Sequence, residues 1–198
     1  MDAAATTGKC GFVLVGGHGL RMGRDKARLR VNSGLLVEEV AAVITQVTGS
    51  VALVGRPEDF KDLMIERLPD LRTGCGPLAG LEAALASGRG EFNMVAGCDM
   101  PGLQPHWLVR LLITAEQTGA LCVVARDLSG RIHPLCAVYR SACLPFVRGA
   151  LDAGQLRVLE LVRSLNCVEM PVDGTITNLN TPEQLANWQA HPIPEQHG

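Results

Sequence analysis

A loop rich in glycine and positive charge follows the first apolar segment of the chain. Residues 16–26 read GGHGLRMGRDK and contain four glycines together with Arg21, Arg24 and Lys26. Glycines let successive backbone N–H groups approach phosphate oxygens closely, and the cations supply mobile positive charge. The combination predicts a site for the triphosphate group of a nucleotide.

Three other interpretations of this loop fit less well. A solvated basic surface would not need glycines placed directly after a strand. A dinucleotide-binding loop leads straight into a helix, whereas here a charged stretch precedes the next helical pattern. Tyr139 is followed four positions later by Cys143, so the Tyr-x-x-x-Lys pair of some NADP oxidoreductases does not occur. The phosphate-binding motif G-x-x-x-x-G-K-[ST] does not occur either.

A carboxylate stands at the end of another apolar segment. Asp99 lies in the run VAGCDMPGL, directly after a predicted strand. Magnesium prefers carboxylate oxygens and keeps several of its waters when it binds substrate phosphates, so one or two such residues suffice. Asp99 is therefore a candidate magnesium ligand. The alternative is an aspartate that forms the turn before Met100 and Pro101.

The elements that must position these residues alternate between strand and helix. Apolar runs predict strands at residues 10–16, 51–55, 93–97, 120–125, 135–139 and 167–170. Helices are predicted at about residues 35–47, 81–86, 105–118, 143–151 and 156–165, and from Pro182 after a Thr181 cap. This order predicts an α/β fold, a doubly wound, Rossmann-like three-layer α/β/α sandwich with a mostly parallel sheet. The loops after Gly16, Gly55 and Gly97 should then face one site.

Length and composition predict one domain and argue against several classes of protein. The 198 residues, 47% of them hydrophobic, suit a single domain over residues 10–190, between a disordered segment 1–9 and a frayed tail 191–198. A formal net charge of -2 argues against non-specific binding of nucleic acid. The seven cysteines form no C-x-x-C pair and are expected to be reduced core residues. Without a signal sequence or a bilayer-spanning apolar stretch, we expect a cytoplasmic protein with no membrane contact.

Four motifs carry a resemblance to a known family. In chain order they are LVGGHGLRMGRDK, GPLAGLEAAL, VAGCDMPGL and NLNTPEQL, and they extend from residue 14 to residue 185. With these motifs the sequence resembles the molybdenum cofactor guanylyltransferases, the MobA-like members of the nucleotidyltransferase superfamily. The resemblance implies transfer of GMP from MgGTP to the terminal phosphate of molybdenum-loaded molybdopterin, with release of pyrophosphate. It also implies transient contact with molybdoenzymes or cofactor-biosynthesis proteins, and no nucleic-acid partner.

The same resemblance implies a set of site residues. Arg21, Lys26 and Asp99 would be catalytic, and Asp99 would hold Mg²⁺. The residues that would bind the nucleotide are Leu14, Val15, Gly16, Gly17, Lys26, Arg56, Asp70, Gly76, Pro77, Leu78 and Asp99.

Two asparagines are predicted to bind the acceptor. Asn178 and Asn180 are two positions apart, so an extended segment would point both amides the same way, and amides pair with both donors and acceptors of a pterin edge. The alternative is a turn that leads into the Thr181 cap. His133 would lie near the acceptor or have a structural role.

Other functions remain open at this stage. The chain could be a cytidylyltransferase, or a nucleotidyltransferase for a sugar phosphate or phospholactate, although Gly16-Gly17 resembles the guanine enzymes more closely. A non-catalytic nucleotide-binding domain is disfavoured because both Lys26 and Asp99 are kept. The sequence departs from the family pattern at Val15, at residues 18–19 and at residues 32–36.

Overall fold

The computed structural model describes residues 8–15, 28–31, 34–56, 60–165 and 167–190. Within these ranges the strands are β1 (Lys9–Val15), β2 (Arg30–Val31), β3 (Gly34–Leu35), β4 (Val51–Gly55), β5 (Glu66–Pro69), β6 (Phe92–Gly97), β7 (Cys122–Arg126), β8 (Ile132–Arg140) and β9 (Val168–Pro171). The helices are α1 (Leu36–Thr48), α2 (Pro77–Ala86), α3 (Pro105–Thr118), α4 (Leu144–Asp152), α5 (Val158–Ser164) and α6 (Pro182–Ala190).

Seven of these strands form one mixed sheet. Their order is β5-β4-β1-β6-β8-β7-β9, and β2 pairs separately with β3. Only β8 among the seven described strands runs antiparallel, because it returns from β7 through a short hairpin and then pairs with β6. The predicted, mostly parallel sheet is confirmed.

Helices cover both faces of this sheet. On one face α1 and α3 bury apolar side chains against the strands, and Leu185 and Trp188 of α6 pack against the same cluster. On the other face α2, α4 and α5 contribute to a second buried cluster. In α3 the face predicted from the sequence is the buried one: it comprises Trp107, Leu108, Leu111 and Leu112. The three-layer α/β/α architecture is confirmed.

Several elements differ from the sequence predictions, among them α2 and β5, and the two-residue strands β2 and β3 were not predicted either. Helix α2 begins at Pro77 instead of near Leu81, because Gly76 takes a positive φ of 63° as the N-cap and Pro77 suits the first helical position. Strand β5 was not predicted at all. Its residues show no alternation of apolar and polar side chains. They include Pro69, and an edge strand tolerates a proline because one side of the strand forms no hydrogen bonds within the sheet.

The prediction that every cysteine is reduced is wrong for Cys122 and Cys167, which form a disulfide. Pairing of β7 with β9 places Val123 beside Val168, which brings the two preceding cysteines to a Cα–Cα distance of 5.0 Å. That distance lies within the usual range for a disulfide. Residue-by-residue spacing in the sequence could not show this register.

The outer segments bear on the predicted domain limits. Lys9 already belongs to β1, so the predicted disordered segment 1–9 extends too far, and residues 1–7 and 191–198 lie outside the described residues. Among the described helices, none combines the length and the hydropathy that crossing a bilayer requires.

Candidate nucleotide and acceptor site

The ends of four parallel strands meet at one edge of the sheet. Val15 of β1 pairs with Gly55 of β4, and Leu14 pairs with Gly97 of β6. Pro69 of β5 lies beside Gly55 in the same register. The chain therefore leaves β1, β4, β5 and β6 at a common edge, as predicted for the ligand site of a doubly wound sheet.

Close backbone contacts hold these strand ends together. The N–H of Cys98 donates to the carbonyl oxygen of Leu14 at 3.2 Å, which joins the exit of β6 to that of β1. At Gly55 a Cβ atom would lie 2.4 Å from the carbonyl oxygen of Val15, so glycine permits the approach of β4 to β1. Arg56 is exposed and directly follows β4 at this edge.

Four predicted site residues lie outside the described residues. They are Gly16, Gly17, Arg21 and Lys26. The segment that contains them directly follows Val15, the last residue of β1, which lies at the common edge.

The N-terminus of α2 lies at this edge. Gly76 caps the helix, Pro77 is its first residue, and no acidic side chain occupies its first turn. A helix N-terminus carries partial positive charge and favours an anionic ligand nearby. The side chain of Leu78 is fully buried in the apolar cluster, so any contact of Leu78 with a nucleotide would come from its backbone.

Asp70 directly follows β5 in the chain and lies in space between β4 and α2. Its N–H donates to the carbonyl oxygen of Gly55 at 3.2 Å. One carboxylate oxygen lies 3.5 Å from the position that a Cβ of Gly80 would take, and the Leu14 side chain borders the same position at 3.2 Å. Burial in this setting raises the pKa of Asp70 above its ordinary value. The carboxylate predicted to contact the nucleotide is thus placed on the first helical turns of α2, beside the end of β1.

Asp99 occupies the turn after β6 and is half-buried. Its backbone carbonyl accepts a hydrogen bond from the N–H of Leu179 at 2.8 Å. Its carboxylate oxygen Oδ1 lies 3.4 Å from Nδ2 of Asn178. Gly97 leaves the room for this carboxylate, because a Cβ there would lie 2.8 Å from Asp99 Oδ1. Backbone and side chain together therefore hold Asp99 against residues 178–179.

The two predicted acceptor residues lie together beside Asp99. Asn178 is half-buried, whereas Asn180 is exposed and donates its amide to the carbonyl oxygen of Asn178 at 3.4 Å. The predicted Thr181 cap is present, since Thr181 Oγ1 accepts from the N–H of Gln184 at 3.2 Å. Gln184 Oε1 in turn accepts from the N–H groups of Thr181 and Asn180. The turn that leads into the Thr181 cap therefore does not conflict with the predicted role of Asn178 and Asn180 in binding the acceptor.

A second contact holds the segment that carries these asparagines. Residues 172–181, here called the C-terminal strap, begin at a clamp in which the Asp173 carboxylate accepts from the Trp107 indole N–H and contacts His106 at 3.1 Å. These hydrogen bonds, from His106 and Trp107 in that order, lower the pKa of Asp173 to about 2. Gly174 packs directly on the Trp107 ring, where a Cβ would lie at 2.5 Å. Sequence reasoning missed this clamp, and the one available signal was the need of a buried tryptophan N–H for a partner.

His133 has a structural setting. It lies at the start of β8 near the site edge, but it is only 2% exposed and its Nε2 lies 2.8 Å from Asp127 Oδ2. Burial opposes ionisation of Asp127, yet hydrogen bonds from Ser129, His133 and Arg131 lower its pKa to about 2. The Asp127–His133 pair therefore organises the β7–β8 hairpin, as expected for a buried and paired histidine.

Comparison with known proteins adds a family to this geometry. Residues 11–168 match the family model described as the MobA-like NTP transferase domain. The chain belongs to this family. The match spans β1 to the start of β9 and includes the exits of β1, β4 and β6 that form the site edge.

Members of the MobA-like family resemble this chain over most of its length. A molybdenum cofactor guanylyltransferase from Rhodobacter capsulatus is 34% identical over 184 residues, which cover 89% of this chain and 92% of the relative. A probable molybdenum cofactor guanylyltransferase from Mycobacterium marinum is 33% identical, covering 88% and 90% of the two chains. The crystal structure of molybdopterin-guanine dinucleotide biosynthesis protein A from Archaeoglobus fulgidus superposes with a TM-score of 0.78 at 27% identity, covering 91% and 97%. The protein is accordingly a nucleotidyltransferase of the MobA-like family.

Proposed function

We propose that this nucleotidyltransferase transfers GMP from GTP to the terminal phosphate of molybdopterin that carries molybdenum. The products are the guanine dinucleotide form of the cofactor and pyrophosphate. The observation that carries the proposal is the contact of the C-terminal strap with Asp99, in which Asn178 Nδ2 lies 3.4 Å from Asp99 Oδ1 and the N–H of Leu179 donates to the Asp99 carbonyl oxygen. A residue proposed to bind the acceptor thus adjoins the residue proposed to hold the metal. The names of the relatives from Rhodobacter capsulatus and Mycobacterium marinum support GTP and molybdopterin as the substrates.

The residues around Asp99 fit a magnesium ion. Asp99 offers one half-buried carboxylate in the turn that directly follows the parallel strand β6. Magnesium suits a site with one carboxylate, because it takes its other ligands from waters and substrate phosphates. When bound there, Mg²⁺ would supply positive charge to the phosphates of GTP.

The nucleotide would lie across the strand ends. Asp70 would accept hydrogen bonds from the ribose or the base, and the N-terminus of α2 at Gly76 and Pro77 would face negative charge. Arg21 and Lys26 would bind the phosphates, as the resemblance implies. Backbone groups of residues 14–17, Arg56 and the backbone of Leu78 would complete the nucleotide contacts.

The chemistry needs alignment and no covalent nucleophile from the protein. An oxygen of the acceptor phosphate attacks the α-phosphorus of GTP, forms the new P–O bond, and displaces pyrophosphate, which leaves with the electron pair of the broken bond. Held reactants and cations that face the developing charge lower the barrier of such a reaction. Asn178 and Asn180 would orient the pterin so that its phosphate points to the α-phosphorus, and the bond from Asn178 would hold the Asp99 carboxylate in place.

The product must then reach the enzymes that use it. We propose that this step takes place in the cytoplasm, through transient contact with molybdoenzymes or cofactor-biosynthesis proteins. We propose no nucleic-acid partner and no membrane contact for this protein.

The test is a comparison of nucleoside triphosphates. The purified protein is incubated with Mg²⁺, molybdenum-loaded molybdopterin and each of ATP, CTP, GTP and UTP, and pyrophosphate release is measured. GTP is expected to give the fastest release, and Asp99→Asn is expected to abolish it with little change in the melting temperature. Faster turnover of CTP than of GTP would show that the protein is a cytidylyltransferase and would contradict the proposed guanylyltransferase activity. Release that does not depend on molybdopterin, or release only with a different phosphorylated acceptor, would contradict the proposed acceptor.

A further inference from the structure

The loop between Asp70 and α2 is mostly exposed, and only Arg72 and Cys75 in it are half-buried. Residues 71–76 contain two glycines with positive φ, Gly74 at 74° and Gly76 at 63°. Leu71 is 55% exposed although it is apolar. Such a loop has many accessible conformations, because glycine adopts both left- and right-handed backbone angles. A contact with the rest of the fold must hold residues 71–76 if the distance between Asp70 and the Gly76 turn is to stay constant.

The side chain of Arg72 crosses from this loop to two helices. Its Nε donates to Glu82 Oε2 of α2 at 3.0 Å, and its Nη2 lies 3.4 Å from Glu82 Oε1. Its Nη1 donates to Asp152 Oδ1 at the end of α4 at 2.6 Å. A guanidinium group can bind two carboxylates at once because its five N–H donors form a planar fork, which a lysine ammonium lacks.

Glu82 is a buried carboxylate with a second cation. The residue is 3% exposed, and Arg148 Nε of α4 donates to its Oε1 at 3.2 Å. A buried carboxylate needs paired positive charge, so both arginines satisfy it. Only Arg72 belongs to the loop, however, and Arg148 lies on α4 without a contact to residues 70–76 among its described ion pairs and hydrogen bonds.

We propose that Arg72 is a positioning residue for the nucleotide side of the site. By binding Glu82 and Asp152, it holds residues 71–76 against α2 and so sets the spacing between Asp70 and the Gly76 turn. This inference rests on the proposed function, because the benefit of the spacing is the binding of GTP. It differs from a stabilising role, which Arg148 would share.

Arg72→Gln and Arg148→Gln form the matched pair that tests this assignment. Both variants remove one cation from Glu82, so both are expected to lower the melting temperature. Only Arg72→Gln is expected to raise the KM and Kd for GTP, by about tenfold, with kcat for pyrophosphate release kept within about threefold. Arg148→Gln is expected to keep the KM for GTP within about twofold. Equal changes of KM in the two variants would overturn the positioning role, as would an Arg72 variant that changes only the melting temperature.

Two further variants cover the case that Arg72→Gln does not fold. Arg72→Lys keeps the charge but carries its donors on a single nitrogen, so it cannot reproduce the two-point contact with Glu82 together with the bond to Asp152. Asp152→Asn weakens only the contact with the exposed Asp152. Both are expected to raise the KM for GTP, and wild-type values in both would overturn the proposal.

Hydrogen exchange tests the loop without any nucleotide. The amides of residues 73–76 are expected to exchange faster in the Arg72 variants than in Arg148→Gln. Unchanged exchange would refute the holding role itself. If the variants show this difference in exchange but the wild-type protein neither binds nor turns over GTP, the proposed function is refuted and the loop contact remains.

Discussion

Asp70→Asn is expected to stabilise the free protein and to weaken its binding of GTP. Burial raises the pKa of the Asp70 carboxyl, which lies beside Leu14 and Gly80. The ionised carboxylate therefore opposes folding in the absence of a ligand that pairs with it. An asparagine has nearly the same shape and carries no charge, so it removes this opposition.

The sign of the pH dependence follows from linkage. A carboxyl whose pKa is raised on folding favours the folded state while both states are protonated, and this contribution is lost as the pH rises from 3.8 through the folded-state pKa. Wild type and Asp70→Asn should thus have similar unfolding free energies at low pH. At neutral pH the variant should be the more stable protein.

The magnitudes come from the half-buried position of the group. Because Asp70 is half-buried, solvent screens part of the cost of its charge, so the melting temperature should rise by no more than about 2–4 °C, the shift that about 1 kcal/mol produces in a chain of this size. Hydrogen bonds to a charged group contribute about 1.5–3 kcal/mol, so GTP should bind roughly tenfold to a hundredfold more weakly. The two effects have opposite signs, which a merely damaged protein would not produce.

The assay combines melting curves from pH 3 to 8 with calorimetric titration of GTP. Glu66→Gln is the control on the neighbouring strand β5, because hydrogen bonds from Arg89 lower the pKa of Glu66. That variant should lose stability slightly and bind GTP as the wild type does. A lower melting temperature in Asp70→Asn, or an unchanged affinity for GTP, would refute the placement of Asp70 as a partly buried nucleotide ligand.

Three further predictions concern the rest of the site. Gly97→Ala should displace the Asp99 carboxylate, since the added Cβ would lie 2.8 Å from Oδ1. Turnover measured in a magnesium titration should fall on the order of tenfold to a hundredfold. Unchanged magnesium dependence would contradict the displacement. Asn180→Ala should weaken acceptor binding alone by about 1–3 kcal/mol, whereas Asn178→Ala should also raise the magnesium requirement, and identical profiles would mean that Asn178 does not support Asp99. Lys26→Ala should lower kcat by at least about a hundredfold in a folded protein, and full turnover would remove Lys26 from the mechanism.

Much of the fold was predictable because local patterns determine it. Buried strands such as β1, β4 and β6 consist mostly of consecutive apolar residues, and α3 combines an N-terminal proline with an amphipathic pattern. The edge at which a ligand binds then follows from the topology of a doubly wound sheet. Strand β5 escaped prediction because an edge strand does not need an apolar run.

The contacts across the site could not be predicted from such patterns. The bond between Asn178 and Asp99 joins residues 79 positions apart, and the disulfide joins Cys122 to a residue 45 positions later. Two single polar residues carry no periodic signal that would reveal their pairing. The role of Arg72 was hidden for the same reason, since its partners come from two different helices.

The C-terminal strap makes the order of synthesis matter. Asp99 and the strand ends around it are made first, whereas Asn178 and Leu179 emerge from the ribosome much later and then return to Asp99. A growing chain can therefore form the strand ends around Asp99 before Asn178 and Leu179 have been synthesised. A chain that is cut or terminated before residue 178 would retain Asp70 and the N-terminus of α2 but lack the contacts on Asp99. Such a fragment would have lost the groups proposed to bring the second substrate to the nucleotide, so it is expected to bind GTP without transferring GMP.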